Sequence, residues 1–194
     1  MRSARDMEER LAIMDGIKDG TRETERDTSM VKNKLQVSVV DNFLPSSKFL
    51  KFQKFATNLS MIPAYQGGHY GFRHDLDIDK YKNHHIAKTV KKTFFPVSNL
   101  IVDKVFIHLR HNPTEPRPHT DPPNFSFLFY LKGEPLFNNG TGFYVDGELG
   151  SHIGFKENRA IFFNCGEITH THLQGFADSS PRYSMNIFYR GKIK

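Results

Sequence analysis

The chain has 194 residues, 38% of them hydrophobic, and a formal net charge of +6. That length suits one compact domain with a sizeable core, and no apolar run approaches the roughly 18 residues of a membrane span. The lysines are scattered without a block of like charges, which disfavours a nucleic-acid partner, and the first residues lead into acidic ones rather than an apolar signal region, so a soluble, cytoplasmic protein is expected.

Residues 1–34 mix both charge signs densely and carry few large apolar side chains, which predicts a charged N-terminal arm, partly disordered, with a short helix over 7–17 at most. The regular domain is expected over 35–194. It starts with a valine-rich strand at 35–41 and a turn at Leu44-Pro45. Ser46 or Ser47 can then cap a helix whose Phe49, Phe52, Ala56 and Leu59 form one apolar stripe. The segment 65–73, with Gly67, Gly68, Tyr70 and Arg73, combines flexible glycines with aromatic and basic groups, which suits either a substrate-covering loop or an ordinary connection. A second helix is predicted over 80–94, with Ile86, Val90 and Phe94 on one face and Pro96 ending it. Short strands broken by turns follow at 100–110, 125–131, 142–145, 159–163 and 182–189. With 18 Phe and no Trp, their core must be built from phenylalanine and aliphatic residues. Helices leading and strands following predict an α+β, mainly β chain, a two-sheet jelly roll with the N-terminal helices packed on its outer face. The lone Cys165 excludes an intramolecular disulfide and suits a buried structural thiol.

His119 and Asp121 are two residues apart, so on an extended segment both side chains point the same way. Pro116, Pro118, Pro122 and Pro123 bracket them and restrict the backbone. Two histidines and one carboxylate can occupy one face of an iron ion and leave the other open. A distant strand offers the second histidine. Beyond Phe162-Phe163-Asn164 and a turn at Gly166 come His170 and His172, on the same side of an extended segment, and spacing alone allows either. Arg182 opens the last strand, where an inward guanidinium needs an anionic partner. It can receive a dicarboxylic acid bidentately, with the hydroxyl of Ser184 on the same face as a further donor.

Together, His119-x-Asp121, His170 and Arg182-x-Ser184 resemble the 2-oxoglutarate and Fe(II)-dependent oxygenases, most closely their prolyl-4-hydroxylase-like branch. Val39-Val40-Asp41-Asn42-Phe43-Leu44-Pro45 is similar to that branch's first strand and turn, and Gly140-Thr141-Gly142-Phe143-Tyr144 to its mid-barrel glycine segment. Asn158-Arg159-Ala160-Ile161-Phe162-Phe163 is similar to the strand before its distal histidine, and the likeness covers 35–190. The resemblance implies a double-stranded β-helix that binds Fe(II) through His119, Asp121 and His170, with His172 as the alternative to His170. It implies 2-oxoglutarate as co-substrate, its distal carboxylate held by Arg182 with Ser184 and Tyr130 as helpers, and O2 as oxidant. The implied activity is oxidative decarboxylation of 2-oxoglutarate coupled to hydroxylation of a protein, prolyl residues included, or of a small molecule. Asp121 argues against a halogenase, in which the carboxylate's position is freed for halide.

Two other readings compete. Nucleic-acid dealkylating oxygenases resemble a late strand with two arginines six apart, whereas here position 188 is Phe188 and the next arginine is Arg190, so that reading ranks lower. A non-catalytic, cupin-like binding module would use its histidines, among them His108, His111 and His152, for folding. Turnover of 2-oxoglutarate to succinate separates the two classes.

Overall fold

Strand Phe125–Lys132 is apolar on both faces, which suits a strand covered on both sides rather than one facing water. A computed structural model describes residues 36–66, 69–95, 99–110, 117–122, 124–136, 139–173 and 181–192. The elements in chain order are β1 (Val37–Val40), α1 (Ser46–Thr57), β2 (Ile62–Gln66), β3 (His69–Asp75), α2 (Ile78–Lys82), α3 (His85–Phe94), β4 (Ile101–Arg110) and β5 (Phe125–Lys132). They continue with β6 (Thr141–Val145), β7 (Glu148–Ile153), β8 (Ala160–Phe163), β9 (Thr169–His172) and β10 (Arg182–Arg190). The expected N-terminal arm over 1–34 and the helix stop at Pro96 lie outside the described residues.

Seven strands form one antiparallel sheet in the order β1-β8-β5-β10-β4-β3-β2, and three form a second in the order β7-β6-β9. This is the expected mainly β jelly roll. The period-2 alternation of β5 divides its side chains between two cores. Phe127, Phe129 and Leu131 join Val105 and Ile107 of β4, Phe162 of β8 and Met185 and Ile187 of β10 on the outer face of the large sheet. Phe49, Phe52 and Ala56 of α1 with Ile86 and Val90 of α3 cover that face, as the helical stripes predict. Phe43 ties the layers together, its ring centroid 5.3 Å from that of Phe127 and 5.3 Å from that of Phe129. Burying each such ring contributes about 1.5–3 kcal/mol. On the inner face, Leu128 and Tyr130 meet Ile161, Phe163, Phe143, Phe155 and Cys165 in a smaller core. Among the described residues no helix is long and apolar enough to cross a membrane.

Local detail departs from the sequence expectations in four places. Neither Ser46 nor Ser47 caps α1. Pro45 occupies the cap position without a side-chain hydrogen bond. The approach to the helix is clamped from afar instead, because Asn158 Oδ1 accepts from Leu44 N at 2.9 Å while its Nδ2 donates to the Leu44 carbonyl at 2.8 Å. The single helix over 80–94 is two. Asp77 caps α2 by accepting from the backbone of Asp79 and Lys80, and the His84 ring accepts from Ile86 N to start α3 afresh. The strand at 142–145 is the first arm of the hairpin β6–β7, turned by Asp146 and Gly147 with φ of 52° and 84°. An Asp-Gly pair with both φ positive is a strong hairpin signal. Finally, most of the expected covering loop at 65–73 is strand, β2 pairing with β3 and β3 with β4 at the edge of the large sheet.

Asp41, just past β1, receives Arg159 Nε at 2.6 Å, Arg159 Nη2 at 3.0 Å and Lys156 Nζ at 2.9 Å. The Arg159 and Lys156 hydrogen bonds hold its pKa down to about 2. A carboxylate depressed on folding contributes stability that is present above its ordinary range near 3.8 and is lost as pH falls toward about 2. Asp41→Asn is therefore expected to destabilise at neutral pH by less than about 1 kcal/mol, since water screens the cluster. Urea unfolding should show the gap between variant and wild type closing as the solution is acidified through that window, and a constant gap would refute the assignment.

Candidate active site

The two metal-ligand signals are brought together by backbone pairing. An isolated antiparallel bridge joins them: His119 N donates to the His170 carbonyl at 3.1 Å, and His170 N donates to the His119 carbonyl at 2.9 Å. Asp121 N donates to the Cys165 carbonyl at 2.8 Å. On its other edge β9 pairs with β6, Phe143 opposite His170. The segment around His119 and Asp121 is thus held at fixed register before any side chain is considered.

Hydrogen bonds then orient the rings. His119 Nδ1 donates to the Arg117 carbonyl at 2.8 Å, and His170 Nδ1 donates to the Ile168 carbonyl at 2.9 Å. A carbonyl only accepts, so each Nδ1 donates, and the neutral tautomer compatible with that bond has its lone pair on Nε2, the form a metal ligand needs. His170 Nε2 lies 3.2 Å from Asp121 Oδ2. One potential ligand atom from each of His119, Asp121 and His170 lies within 4.8 Å of the other two. Acceptor atoms crowded this closely are stabilised by a shared cation, and two imidazoles with one carboxylate suit a non-haem iron site.

His172 faces the same cavity but belongs to a different contact. Arg110 Nη1 donates to His172 Nδ1, so that lone pair is engaged by a guanidinium. Arg182 is buried at the start of β10, its Nη1 donating to the Gly140 carbonyl at 2.9 Å and its guanidinium carbon 5.6 Å from the centroid of the Tyr130 ring. Burial lowers the Arg182 pKa, and Tyr130 opposes that shift. Ser184, also buried, accepts from Asn186 Nδ2 at 3.3 Å. Tyr130 is set behind the wall, its hydroxyl 2.7 Å from Thr141 Oγ1, and Thr141 lines the cavity there.

A cavity of about 310 Å³ connects these groups, walled on its apolar side by Leu128, Phe163 and Phe188. The sequence reading missed Arg110, His108 and Asn186 as parts of this wall. The alternation of Phe106, His108 and Arg110 along β4 is the signal that could have found two of them. Arg73 also lines the cavity, from β3 rather than from a loop, paired with Asp75 and stacked 4.1 Å over the Phe106 ring. The side chain of Tyr70 and the pair Gly67-Gly68 lie outside the described residues. Phe188 meets Phe106 edge-on at 5.7 Å, and Arg190 turns to the Asp103 carboxylate at 2.8 Å.

Cys165 is buried beside this site, and burial together with the Asp121 charge pushes its thiol up to about 12. Only the thiolate reacts readily with disulfide reagents. The native protein should therefore react slowly with such a reagent at neutral pH and at once when unfolded. Rapid reaction of the native protein would contradict this burial.

The architecture is the double-stranded β-helix of the 2-oxoglutarate/Fe(II) oxygenases, prolyl hydroxylases among them. A 2-oxoglutarate/Fe(II) oxygenase-family oxidoreductase from Burkholderia pseudomallei superposes with a TM-score of 0.64 at 12% identity, covering 82% of this chain and 88% of that one. HygX from Streptomyces hygroscopicus, solved with nickel and 2-oxoglutarate bound, gives 0.60 at 11% identity over 80% and 83%. A Pseudomonas putida prolyl-4-hydroxylase gives 0.57 at 16% identity over 80% and 92%. No family model and no curated protein matches the sequence. At such identities the likeness is one of fold.

Proposed function

We propose that this protein is a non-haem Fe(II) dioxygenase that couples oxidative decarboxylation of 2-oxoglutarate to hydroxylation of a small-molecule or protein substrate, prolyl residues included. The observation that carries the reading is the convergence of His119, Asp121 and His170, with both Nδ1 protons spent on carbonyls, at the edge of a cavity that also holds Arg182. His119, Asp121 and His170 would hold the metal. Arg182 and Ser184 would hold the distal carboxylate of 2-oxoglutarate, with Tyr130 supporting the arginine from behind. Fe(II) held there would supply the oxygen activation that converts 2-oxoglutarate to succinate and carbon dioxide and oxidises a substrate C–H bond. The chain's own part is positional. The carbonyls of Arg117 and Ile168 would hold the histidine tautomers, and Leu128, Phe163 and Phe188 give the cavity an apolar wall beside the reacting centre.

Anaerobic titration with Fe(II) and then 2-oxoglutarate tests this reading. A weak visible charge-transfer band, followed by succinate formation on admitting air, is the expected result. Folded protein that gives neither would overturn it and favour a non-catalytic jelly-roll module.

A further inference from the structure

Arg110 and Arg182 stand directly opposite each other on β4 and β10, and both line the cavity. Like charges at directly opposed positions of neighbouring strands repel, and burial strengthens the repulsion. Burial first and Arg182 second bring the Arg110 pKa down to about 9. Its side-chain hydrogen bond goes to His172, a neutral acceptor, and no salt bridge among the described residues includes it. The other cavity arginine, Arg73, is matched by Asp75, and the carboxylate of Asp121 belongs to the His119 and His170 group.

The proposed function leaves this charge unanswered. A divalent metal on Asp121 retains one positive charge and Arg182 contributes another, and the two carboxylates of 2-oxoglutarate balance both. Among the described residues, Arg110 remains as a cation with no anion assigned to it. Its neighbours are suited to an oxyanion: His108 faces Ser184 on one side and Arg73 on the other in the strand register. The cavity's 310 Å³ sits at the small end of ligand pockets, which run from about 300 to 1,000 Å³.

We propose that Arg110, backed by His172, is the specificity-determining residue for the primary substrate, and that this substrate is a small molecule carrying an oxyanion, a carboxylate or a phosphate. The inference rests on the oxygenase reading for the word substrate, while the anion site itself follows from the opposed arginines. A guanidinium can hold either group through two parallel hydrogen bonds.

The experiment compares wild type, Arg110→Gln, Arg110→Lys and Arg182→Gln, each loaded anaerobically with Fe(II) and saturating 2-oxoglutarate. Propionate and inorganic phosphate are the probes, titrated by calorimetry, and the charge-transfer band reports 2-oxoglutarate affinity separately. Wild type should bind at least one probe saturably, the preferred probe identifying carboxylate or phosphate. Arg110→Gln should weaken that binding by at least about tenfold and Arg110→Lys should restore part of it. The 2-oxoglutarate midpoint should stay within about threefold of wild type in Arg110→Gln. Arg110→Gln should also melt no lower than wild type without ligand, since it removes a repulsion, and this shows that it folds. The proposal is overturned if neither probe binds wild type, or if Arg110→Gln loses 2-oxoglutarate as Arg182→Gln does, which would mean that both arginines serve the co-substrate. Should wild type form no chelate band, the oxygenase reading fails by itself. Arg110-dependent phosphate or propionate binding by the metal-free protein then upholds the anion site, and its absence overturns that too.

Discussion

His170→Ala is expected to abolish the Fe(II) and 2-oxoglutarate absorption band, while His172→Ala keeps it. The two histidines sit on the same side of β9 and both face the cavity. They differ in what their nitrogens meet. His170 Nδ1 donates to the Ile168 carbonyl, which leaves its Nε2 as the nitrogen that faces Asp121, 3.2 Å away. His172 offers its Nδ1 lone pair to Arg110. Loss of a direct ligand should weaken Fe(II) beyond the roughly 10–100-fold that changes to supporting groups cost. Anaerobic titration of both variants, with circular dichroism to verify folding, reads the difference. Equal loss in the two variants would mean that His172 contributes to the metal site and that the assignment of ligands is wrong.

Arg182→Gln carries the second large effect. It should leave Fe(II) binding intact and weaken 2-oxoglutarate by about 2–5 kcal/mol, the usual cost of truncating one partner of a buried charged pair. Arg182→Lys should recover only part of this, because an ammonium keeps the charge and loses the planar fork. The guanidinium also donates to the Gly140 carbonyl, which joins the start of β10 to the approach of β6. Some loss of thermal stability is therefore expected with the loss of affinity. Equal weakening of Fe(II) and 2-oxoglutarate would indicate a general collapse of the cavity and remove Arg182 from co-substrate binding.

Several features were legible because they depend on neighbours in the chain. Phe49, Phe52 and Ala56 recur at helical spacing and all are buried beneath α1. The strand at β5 could be read from its apolar run, and the shared direction of His119 and Asp121 from their spacing. The misreadings have equally specific causes. The break between α2 and α3 comes from His84 acting as a cap, and histidine is a weak cap signal in sequence. The glycines and aromatics of the β2–β3 segment suit a loop as well as a hairpin, and pairing of β3 with β4 decides the matter. Asp146-Gly147 is a hairpin signal legible in the sequence, since an Asp-Gly pair favours the positive φ that both residues adopt.

Two histidines with a carboxylate and a distant arginine, and the periodicities that sort side chains between two faces, can be read along the chain. That His170 rather than His172 approaches Asp121, and that Arg110 opposes Arg182, emerges only in the folded chain. Alternation along a strand is local and fixes only the face on which a side chain lies. Register and tautomer arise from hydrogen bonds between segments far apart in the chain, such as His119 with His170 and Arg110 with His172, and no local pattern encodes them.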